Sequence, residues 1–314
     1  MAIRIGISGW RYGPWRGKFY PPDLPQRQEL EHASGTFPSI EINGSFYSLQ
    51  SPASWSQWQR HTPDDFQFAV KAPRFLTHVR RLRDIEKPMA NFFASGLLQL
   101  GPKLGPVLWQ LPPNMHFDPV LLEGFLAGLP RDNDQALELA RHREVSRMKG
   151  RTALPVLPRQ PLRHAIEVRH ESFADKAFVA LLRRHNVALV FADSAGRFPY
   201  AEDVTADFVY LRLHGDTEPY VSGYSDEALG WWAARIALWS AGREPPDPNR
   251  FCTLQARKRA ARDVYCYFDN DVKVHAPFDA LALTRRVQDL VGSERRGRSS
   301  PRPVEAGARS LPPA

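Results

Sequence analysis

Short runs of apolar and β-branched residues alternate with longer stretches of helical periodicity along most of the 314-residue chain. This alternation is typical of βαβ units that build a parallel sheet. Eight runs are predicted strands, at residues 3–8, 39–43, 66–72, 106–111, 164–169, 188–193, 208–214 and 264–268. Helical stretches are predicted at 53–60, 86–100, 120–128, 176–185, 226–240 and 278–290. The pattern therefore predicts a (β/α)8 TIM-type barrel, a single α/β domain over residues 1–291.

Three segments do not fit the repeating pattern. Residues 131–161 and 242–262 are predicted insertions on the barrel, the first of them a long connection between the fourth and fifth strands. Residues 292–314 carry five arginines against two glutamates and no apolar periodicity, which predicts a disordered tail. The tail thus holds three of the eight net positive charges, so the basic composition alone does not favour nucleic acid as the partner.

The cellular compartment is predicted from what the sequence lacks. No run of 18 uncharged apolar residues occurs, and the first residues lack the layout of a secretory signal, so we expect neither a membrane span nor secretion. The only two cysteines, Cys252 and Cys266, are too few for a disulfide scaffold or a cysteine-based zinc site. A cytoplasmic protein is the expectation.

Polar side chains interrupt the predicted strands near their carboxyl ends. Successive strand residues face opposite sides, so Ile40 and Ile42 share one face while Glu41 and Asn43 share the other. Five further strands also carry polar residues near their carboxyl ends, on the face opposite their apolar neighbours or at the last position of the strand. These residues are Lys71, Gln110, Glu167, Arg169, Asp193, Arg212 and His214. Barrel strands are normally almost continuously apolar, and barrel enzymes build active sites at this end of the strands. We therefore predict one polar pocket at the carboxyl-terminal mouth, although Glu167 with Arg169 also fits a structural ion pair.

Aromatic residues flank the same end of the barrel. Trp10 and Tyr12 follow the first strand, where they fit either a platform for a sugar or base, or a satellite core that closes the mouth. Tyr220 and Tyr224 follow the seventh strand and are predicted to cover a bound ligand.

An ordered series of motifs resembles the YecE-like family, domain of unknown function 72. The motifs are SGWRYGPWRGKFYP, EINGSFY, FAVKAPRFLTH, LWQLPP, EVRHESF, DSAGRFP, YLRLHG and YFDND. The resemblance implies a TIM barrel with a loose superfamily relation to sugar isomerases and no established reaction. The family pattern covers Trp10, Tyr12, Glu41, Asn43, Lys71, His78, Gln110, Glu167, Arg169, Asp193, Arg212, His214, Tyr220, Tyr224 and Asn270. The chain departs from it at Asp269, where the family more often has Asn, and in the insertions and tail.

These residues predict an enzyme that acts on a sugar-like or phosphorylated small molecule. Glu41 and Glu167 are the candidate acid and base, with Asp193 and His214 as further candidate catalytic groups. Lys71, Arg169 and Arg212 are expected to hold an anionic or polyhydroxylated substrate. Isomerisation or epimerisation next to a carbonyl is the leading reaction, by superfamily analogy. Glycoside hydrolysis, nuclease-like action on single-stranded or abasic nucleic acid, and non-catalytic ligand binding are the alternatives.

No cofactor is predicted to be required. Glu167, Asp193 and His214 end three consecutive strands and are able to hold a divalent metal ion. Arg169 and Arg212 share their faces with Glu167 and His214, and these cations are expected to pair with the carboxylates and repel a metal. A metal-free site is therefore favoured over a divalent metal site.

Overall fold

Eight parallel strands pair in the order in which they occur in the sequence, and the last pairs with the first to close a barrel. The structure is a computed structural model that describes residues 1–299. The strands are β1 (Ile3–Ser8), β2 (Ser39–Ile42), β3 (Gln67–Lys71), β4 (Leu104–Gln110), β5 (His164–Glu167), β6 (Ala188–Asp193), β7 (Phe208–Leu213) and β8 (Asp263–Phe268). Every strand lies within two residues of its predicted bounds, and the TIM-type barrel is confirmed.

Helices connect the strands and cover the outside of the barrel. They are α1 (Glu29–Thr36), α2 (Gly44–Tyr47), α3 (Pro52–Arg60), α4 (Glu86–Ala94), α5 (Pro119–Ala127), α6 (Asn133–Arg141), α7 (Val145–Met148), α8 (Lys176–His185), α9 (Asp226–Ser240) and α10 (Ala276–Ser299). Several begin at residues suited to the helix N-terminus. The side chain of Asp175, for example, accepts a hydrogen bond from the backbone N–H of Ala177, and that of Ser225 accepts one from Ala228.

The single long helix predicted over residues 86–100 is wrong. Helix α4 ends at Ala94, and Gly96 takes a left-handed conformation with φ of 104° before a 3-10 segment over Leu97–Lys103. A Cβ atom on Gly96 would lie 2.9 Å from the Cα atom of Pro52, so this residue also allows the chain to pass close to α3. The apolar periodicity continues through this break, which is why the sequence pattern missed it.

The two faces of the strands pack differently. Outward-facing residues such as Ile5, Ile7 and Phe191 join the apolar layer beneath the helices. Inward-facing residues form a second packed group that includes Ala69, Leu108, Ala165, Val190, Tyr210, Tyr265 and Tyr267. On this inner face a Cβ atom on Gly6 would lie 1.9 Å from the backbone oxygen of Ser39, so the close approach of β1 to β2 requires glycine. The barrel interior is therefore filled, and the polar groups lie above this filling.

The segments outside the repeating pattern differ from one another. Residues 131–161 contain α6 and α7 and then an extended run, whereas 242–262 contain no helix or strand in the described structure. Helix α10 continues to Ser299, so the first residues of the predicted tail belong to this helix, and residues 300–314 lie outside the described residues. Among residues 1–299, no helix is long and apolar enough to cross a membrane.

Candidate functional site

Arg212 is the centre of the polar groups at the barrel mouth. Its side chain is fully buried and donates hydrogen bonds to three carboxylates. Nε and Nη2 lie 3.1 and 2.9 Å from the two carboxylate oxygens of Glu41, Nη1 lies 2.8 Å from Oε2 of Glu167, and Nη2 lies 2.8 Å from Oδ2 of Asp269. Each carboxylate belongs to a different part of the barrel: β2, β5 and the loop after β8. The Arg212 guanidinium therefore connects β7 to β2, to β5 and to the loop after β8.

The other contacts of Glu41 and Glu167 complete their hydrogen bonding. Glu41 accepts hydrogen bonds from the hydroxyl of Ser8, at 2.9 Å, and from that of Tyr210, at 2.6 Å. Oε1 of Glu167 accepts from the amide of Gln110, at 2.9 Å, and from Nε of Arg169, at 2.8 Å. All four carboxylate oxygens are thus engaged, which holds both groups in fixed orientations.

The charges around Glu167 determine its protonation state. Burial by itself would raise the pKa of this carboxyl, but Arg169 and Arg212 outweigh burial and hold its pKa well below the ordinary value. Glu167 is therefore ionised throughout the physiological pH range. An ionised carboxylate with every oxygen occupied is suited to positioning the two arginines and poorly suited to carrying a proton.

Lys71 lies at the end of β3, on the same face as Ala69, and is 8% exposed. Its Nζ lies 4.4 Å from the centre of the Phe46 ring. Within residues 1–299 the amine makes no hydrogen bond and no ion pair. Burial and the charge of Arg212 lower the pKa of Lys71 to about 8, against the opposing effect of nearby carboxylates. Lys71 is therefore the group in this cluster whose charge changes close to physiological pH.

His214 and Tyr220 lie beside Arg212. Nδ1 of His214 is 3.1 Å from Oδ2 of Asp269, an ion-pair distance without hydrogen-bond geometry, and its Nε2 has no partner among the described residues. The Tyr220 ring packs at 67° to the His214 ring with centres 5.1 Å apart. The Tyr220 hydroxyl accepts a hydrogen bond from Nη2 of Arg169, at 3.3 Å. Tyr220 therefore covers both residues from the loop after β7.

Asp193 and Tyr224 form the flank of the site. Asp193 has the parity of Leu189 and Phe191, which face the helices, and its Oδ2 accepts a hydrogen bond from the Tyr224 hydroxyl at 2.9 Å. Burial raises the pKa of the Asp193 carboxyl. The predicted pocket thus brings Glu41, Lys71, Glu167, Arg169, Arg212 and His214 together around the mouth, while Asp193 turns toward the β7 loop.

A cavity of about 290 Å³ lies at the same end of the barrel, after β1 and β2, and its lining includes none of the charged residues of the cluster. Trp10, Tyr12 and Asn43 line it, together with Trp58, whose ring meets that of Trp10 edge-on at 5.3 Å. Trp10 is also part of the apolar layer, so it contributes both to the core and to the cavity wall. Cavities of about 490 and 660 Å³ lie elsewhere in the described structure and contain none of the predicted site residues.

Asp269 and Asp271 are site residues that the sequence interpretation did not select. Burial would raise the pKa of Asp269, but Arg212 and His214 hold it well below the ordinary value. Burial and the negative charge of Asp269 instead raise the pKa of Asp271 well above the ordinary value of an aspartic acid. Two neighbouring carboxyls with opposite shifts are a common arrangement for acid and base groups. The departure from the family motif at Asp269 was the one signal in the sequence that pointed here.

The remaining predicted residues lie around this centre. His78 lies in a single π-helical turn over Phe75–Val79, and its Nδ1 is 2.9 Å from the Thr77 hydroxyl. Burial and the charge of Lys71 lower the pKa of His78 to about 4, so its ring is neutral at physiological pH. Asn270 donates to the carboxylate of Asp279 at 2.8 Å and to the backbone oxygen of Ser222 at 3.0 Å, so it ties two loops together.

Several buried polar atoms around the mouth lack hydrogen-bond partners in the described structure. They are Oδ1 of Asn43, Nδ1 and Nε2 of His214, Oδ1 of Asn270 and Oδ1 of Asp271. Buried polar groups in folded proteins are nearly always satisfied, so such a concentration indicates a place where a ligand or water completes the network. Among residues 1–299, no group of three or more His, Cys, Asp or Glu side chains is arranged to hold a metal ion. The preference for a metal-free site stays a prediction.

Comparisons with known proteins place these features in a family. The model of the family described as "Protein of unknown function DUF72" matches residues 4–303. UPF0759 protein YecE of Escherichia coli O157:H7 is 29% identical over 249 residues, which span 77% of this chain and 84% of that protein. UPF0759 protein YunF of Bacillus subtilis is 34% identical over 116 residues, which span 35% of this chain and 40% of YunF. The matched segment thus covers less than half the length of YunF.

Two solved structures share the fold. A DUF72 family protein from Thermotoga maritima superposes with a TM-score of 0.66 at 24% identity, over 92% of this chain and all of that one. A DUF72 family protein from Enterococcus faecalis superposes with a TM-score of 0.61 at 16% identity, over 91% of this chain and 95% of that one. These similarities extend over the whole barrel.

Proposed function

The chain belongs to the DUF72 family, and from that premise we propose that it is an enzyme acting on a small polyhydroxylated or phosphorylated carbonyl compound. The reaction we assign is proton transfer at the carbon next to the carbonyl, as in an isomerase or epimerase. The observation that carries the proposal is the concentration of unpartnered polar atoms beside a charged network that is already fixed. A network of this kind can bind hydroxyl groups without reorganising.

The roles that we assign differ from those predicted from the sequence, where Glu41 and Glu167 were the candidate acid and base. Glu41 and Glu167 hold Arg212 and Arg169 in place, because every one of their oxygens accepts a hydrogen bond. Lys71 has an amine free of hydrogen bonds and a pKa of about 8, so part of it is neutral near neutral pH and able to act on the substrate carbonyl. Asp271, whose pKa is raised by burial and by the charge of Asp269, is the candidate for donating a proton to the substrate oxygen.

The substrate class follows from what lies around these groups. Arg169 is partly exposed and its guanidinium lies 4.4 Å from the centre of the Phe198 ring, so it can present its remaining N–H groups to an anion. The charges of Lys71, Arg169 and Arg74 each lower the pKa of His78, against the opposing charge of Glu167, which supports an anionic group of the substrate on this side of the mouth. Trp10 and Tyr12 line the neighbouring cavity and offer a surface for the apolar face of a sugar. Both cysteines are free and buried, which supports the proposed cytoplasmic location.

Exchange with heavy water tests the proposal. The protein is incubated in D₂O with a panel of aldoses, ketoses and their phosphates, and deuterium at the carbon next to the carbonyl is followed by NMR. We expect incorporation with the wild-type protein and with Lys273→Met, which changes an exposed lysine outside the site, and loss of incorporation with Lys71→Met. Binding of a panel member without any exchange would favour a non-catalytic barrel. Equal exchange by wild-type protein and Lys71→Met would remove Lys71 from the reaction.

A further inference from the structure

Two buried lysines in this chain have opposite surroundings. Lys103 is 3% exposed, and its amine donates to the backbone oxygens of Gln59 and Thr62, each at 2.7 Å. Lys71 is 8% exposed, its amine has no acceptor among residues 1–299, and Nζ is not one of the fully buried unpartnered atoms, so the amine is accessible from the mouth. A buried ammonium without an acceptor is destabilising, so the arrangement around Lys103 is the one expected of a lysine with a structural role. The arrangement around Lys71 requires another explanation.

The surroundings of Lys71 favour the neutral form of the amine. Burial is the largest influence against the ammonium and the charge of Arg212 is the next, while the face of the Phe46 ring, 4.4 Å from Nζ, gives the charged form only a weak attraction. Carboxylates that would stabilise an ammonium are present, but Arg212 and Arg169 already occupy their oxygens. A neutral amine is a nucleophile, and a lysine in a desolvated site next to another cation is a recognised arrangement for such a group.

We infer that Lys71 forms a covalent imine with the carbonyl carbon of an aldehyde or ketone substrate at the barrel mouth. This inference rests on the proposed function and adds a covalent step to it. The amine nitrogen adds its lone pair to the carbonyl carbon, the carbonyl oxygen gains a proton, and the nitrogen loses one. The resulting carbinolamine loses its hydroxyl with a further proton as water, which leaves a carbon–nitrogen double bond to Nζ.

The protons in these steps can move between the reacting atoms. The proton that the nitrogen loses passes through water to the carbonyl oxygen, which gains one in the same step. The raised pKa of Asp271 makes its carboxyl the candidate to supply the further proton to the departing hydroxyl. Once formed and protonated, the imine withdraws electrons more strongly than the carbonyl did. It therefore makes the neighbouring C–H bond more acidic, which is the chemistry that the proposed isomerisation needs.

Trapping by reduction tests the inference. The protein is incubated at pH 7 with glyceraldehyde 3-phosphate or dihydroxyacetone phosphate and sodium borohydride, and the products are analysed by intact mass and peptide mapping. We expect a single adduct at Lys71. At pH 7 a group with a pKa of about 8 is neutral roughly two- to three-hundredfold more often than an ordinary lysine, so Lys71 should label well before the others.

Matched variants make the result specific. Lys71→Met and Lys71→Arg should abolish the adduct, and Lys103→Met should leave it unchanged if thermal unfolding shows that each variant is folded. A thermal shift with the same compounds but without borohydride reports binding alone. Binding without an adduct at Lys71, or labelling spread evenly over the exposed lysines, would overturn the imine and leave the proposed function standing. Neither binding nor an adduct with both compounds would overturn the imine and also the proposed substrate class.

Discussion

At the scale of single residues, Glu167 shows how tightly the mouth is held together. Its two oxygens accept hydrogen bonds from two arginines and one amide, and its side chain is fully buried. Removing the charge leaves two guanidinium groups without full compensation in a water-poor site. Breaking a buried pair in this way is usually far more destabilising than breaking one at the surface.

We expect Glu167→Gln to lower the free energy of unfolding by about 3–5 kcal/mol. The pKa of Glu167 is lower in the folded state than in the unfolded state, so its stabilisation is present above the unfolded value and disappears as the pH falls below it. The variant should therefore lose less stability than the wild-type protein between pH 5 and pH 3. Urea unfolding across this range measures both effects.

Glu138→Gln is a matched control, because Glu138 pairs with Arg141 at 2.8 Å on the surface, where both side chains are 60% exposed. It should change the free energy of unfolding by less than about 1 kcal/mol. Similar losses for the two variants would show that the mouth network contributes no more than a surface ion pair.

Lys71 gives a second prediction at the residue scale. Because its pKa is about 8, the neutral fraction of the amine rises about fivefold between pH 7 and pH 8. The initial rate of borohydride trapping at Lys71 should rise by the same factor, whereas the rate at a free lysine amine, as in an added model peptide, should rise about tenfold over this range. Including such a peptide in the same sample compares the two amines directly. A tenfold rise at Lys71 would mean that its amine is not perturbed.

At the scale of elements, the turn after β1 brings an aromatic residue to the site. Gly9 has a φ of 88°, its backbone N–H donates to the backbone oxygen of Glu41 at 2.8 Å, and a Cβ atom here would lie 2.9 Å from the Tyr12 hydroxyl. That hydroxyl donates to the backbone oxygen of Ser8 at 2.5 Å. The left-handed turn at Gly9 therefore allows Tyr12 to fold back over the end of β1.

Gly9→Ala should lower the free energy of unfolding by roughly 1–3 kcal/mol, because it combines an unfavourable φ with a close contact to Tyr12. Gly13→Ala lies in the same segment, where an added Cβ atom would meet nothing within 4 Å, and should change stability little. Denaturant unfolding of the two variants checks the comparison. An equal effect at both positions would contradict the role assigned to this turn.

The alternation of side chains along the strands predicted part of the site, because in a closed barrel every second residue of a strand faces the interior. Glu41, Lys71, Glu167 and Arg212 all occupy inward-facing positions at strand ends, and alternation along each strand is visible in the sequence. The prediction that Asp193 faces the pocket was less accurate. Asp193 is the last residue of β6 and by alternation lies on the same side as the helix-facing residues of that strand, and its carboxylate binds the Tyr224 hydroxyl. Loop residues follow no such period, so Asp271 could not be selected in this way.

At the scale of the whole molecule, the order of elements was predictable and the partners of individual charges were not. The alternation of strands and helices defined the barrel, because each βαβ unit is a local feature of the chain. Which carboxylates Arg212 binds depends on how strands distant in the sequence meet after the barrel closes. The helix break at Gly96 depends likewise on a close contact with Pro52, which is distant in the sequence. The apolar periodicity around residue 96 therefore could not predict it.

The bonds of Arg212 also have a consequence for the order in which the protein folds. Arg212 and Glu41 are 171 residues apart in the sequence, and the bond between Tyr210 and Glu41 spans 169 residues. Bringing such distant segments together has a high entropic cost, so contacts of this kind are expected to form late. The mouth network should therefore be absent from the main folding transition state.

Arg212→Met should accordingly speed unfolding much more than it slows the main folding phase, because residues whose contacts form late act mainly on the unfolding rate. Stopped-flow folding and unfolding in urea measure both rates. A folding rate reduced as strongly as the unfolding rate is raised would place Arg212 in the folding nucleus. The expected result would mean that most of the barrel forms first. The ion pairs of Arg212 at the mouth would then form last and connect the first and second halves of the chain.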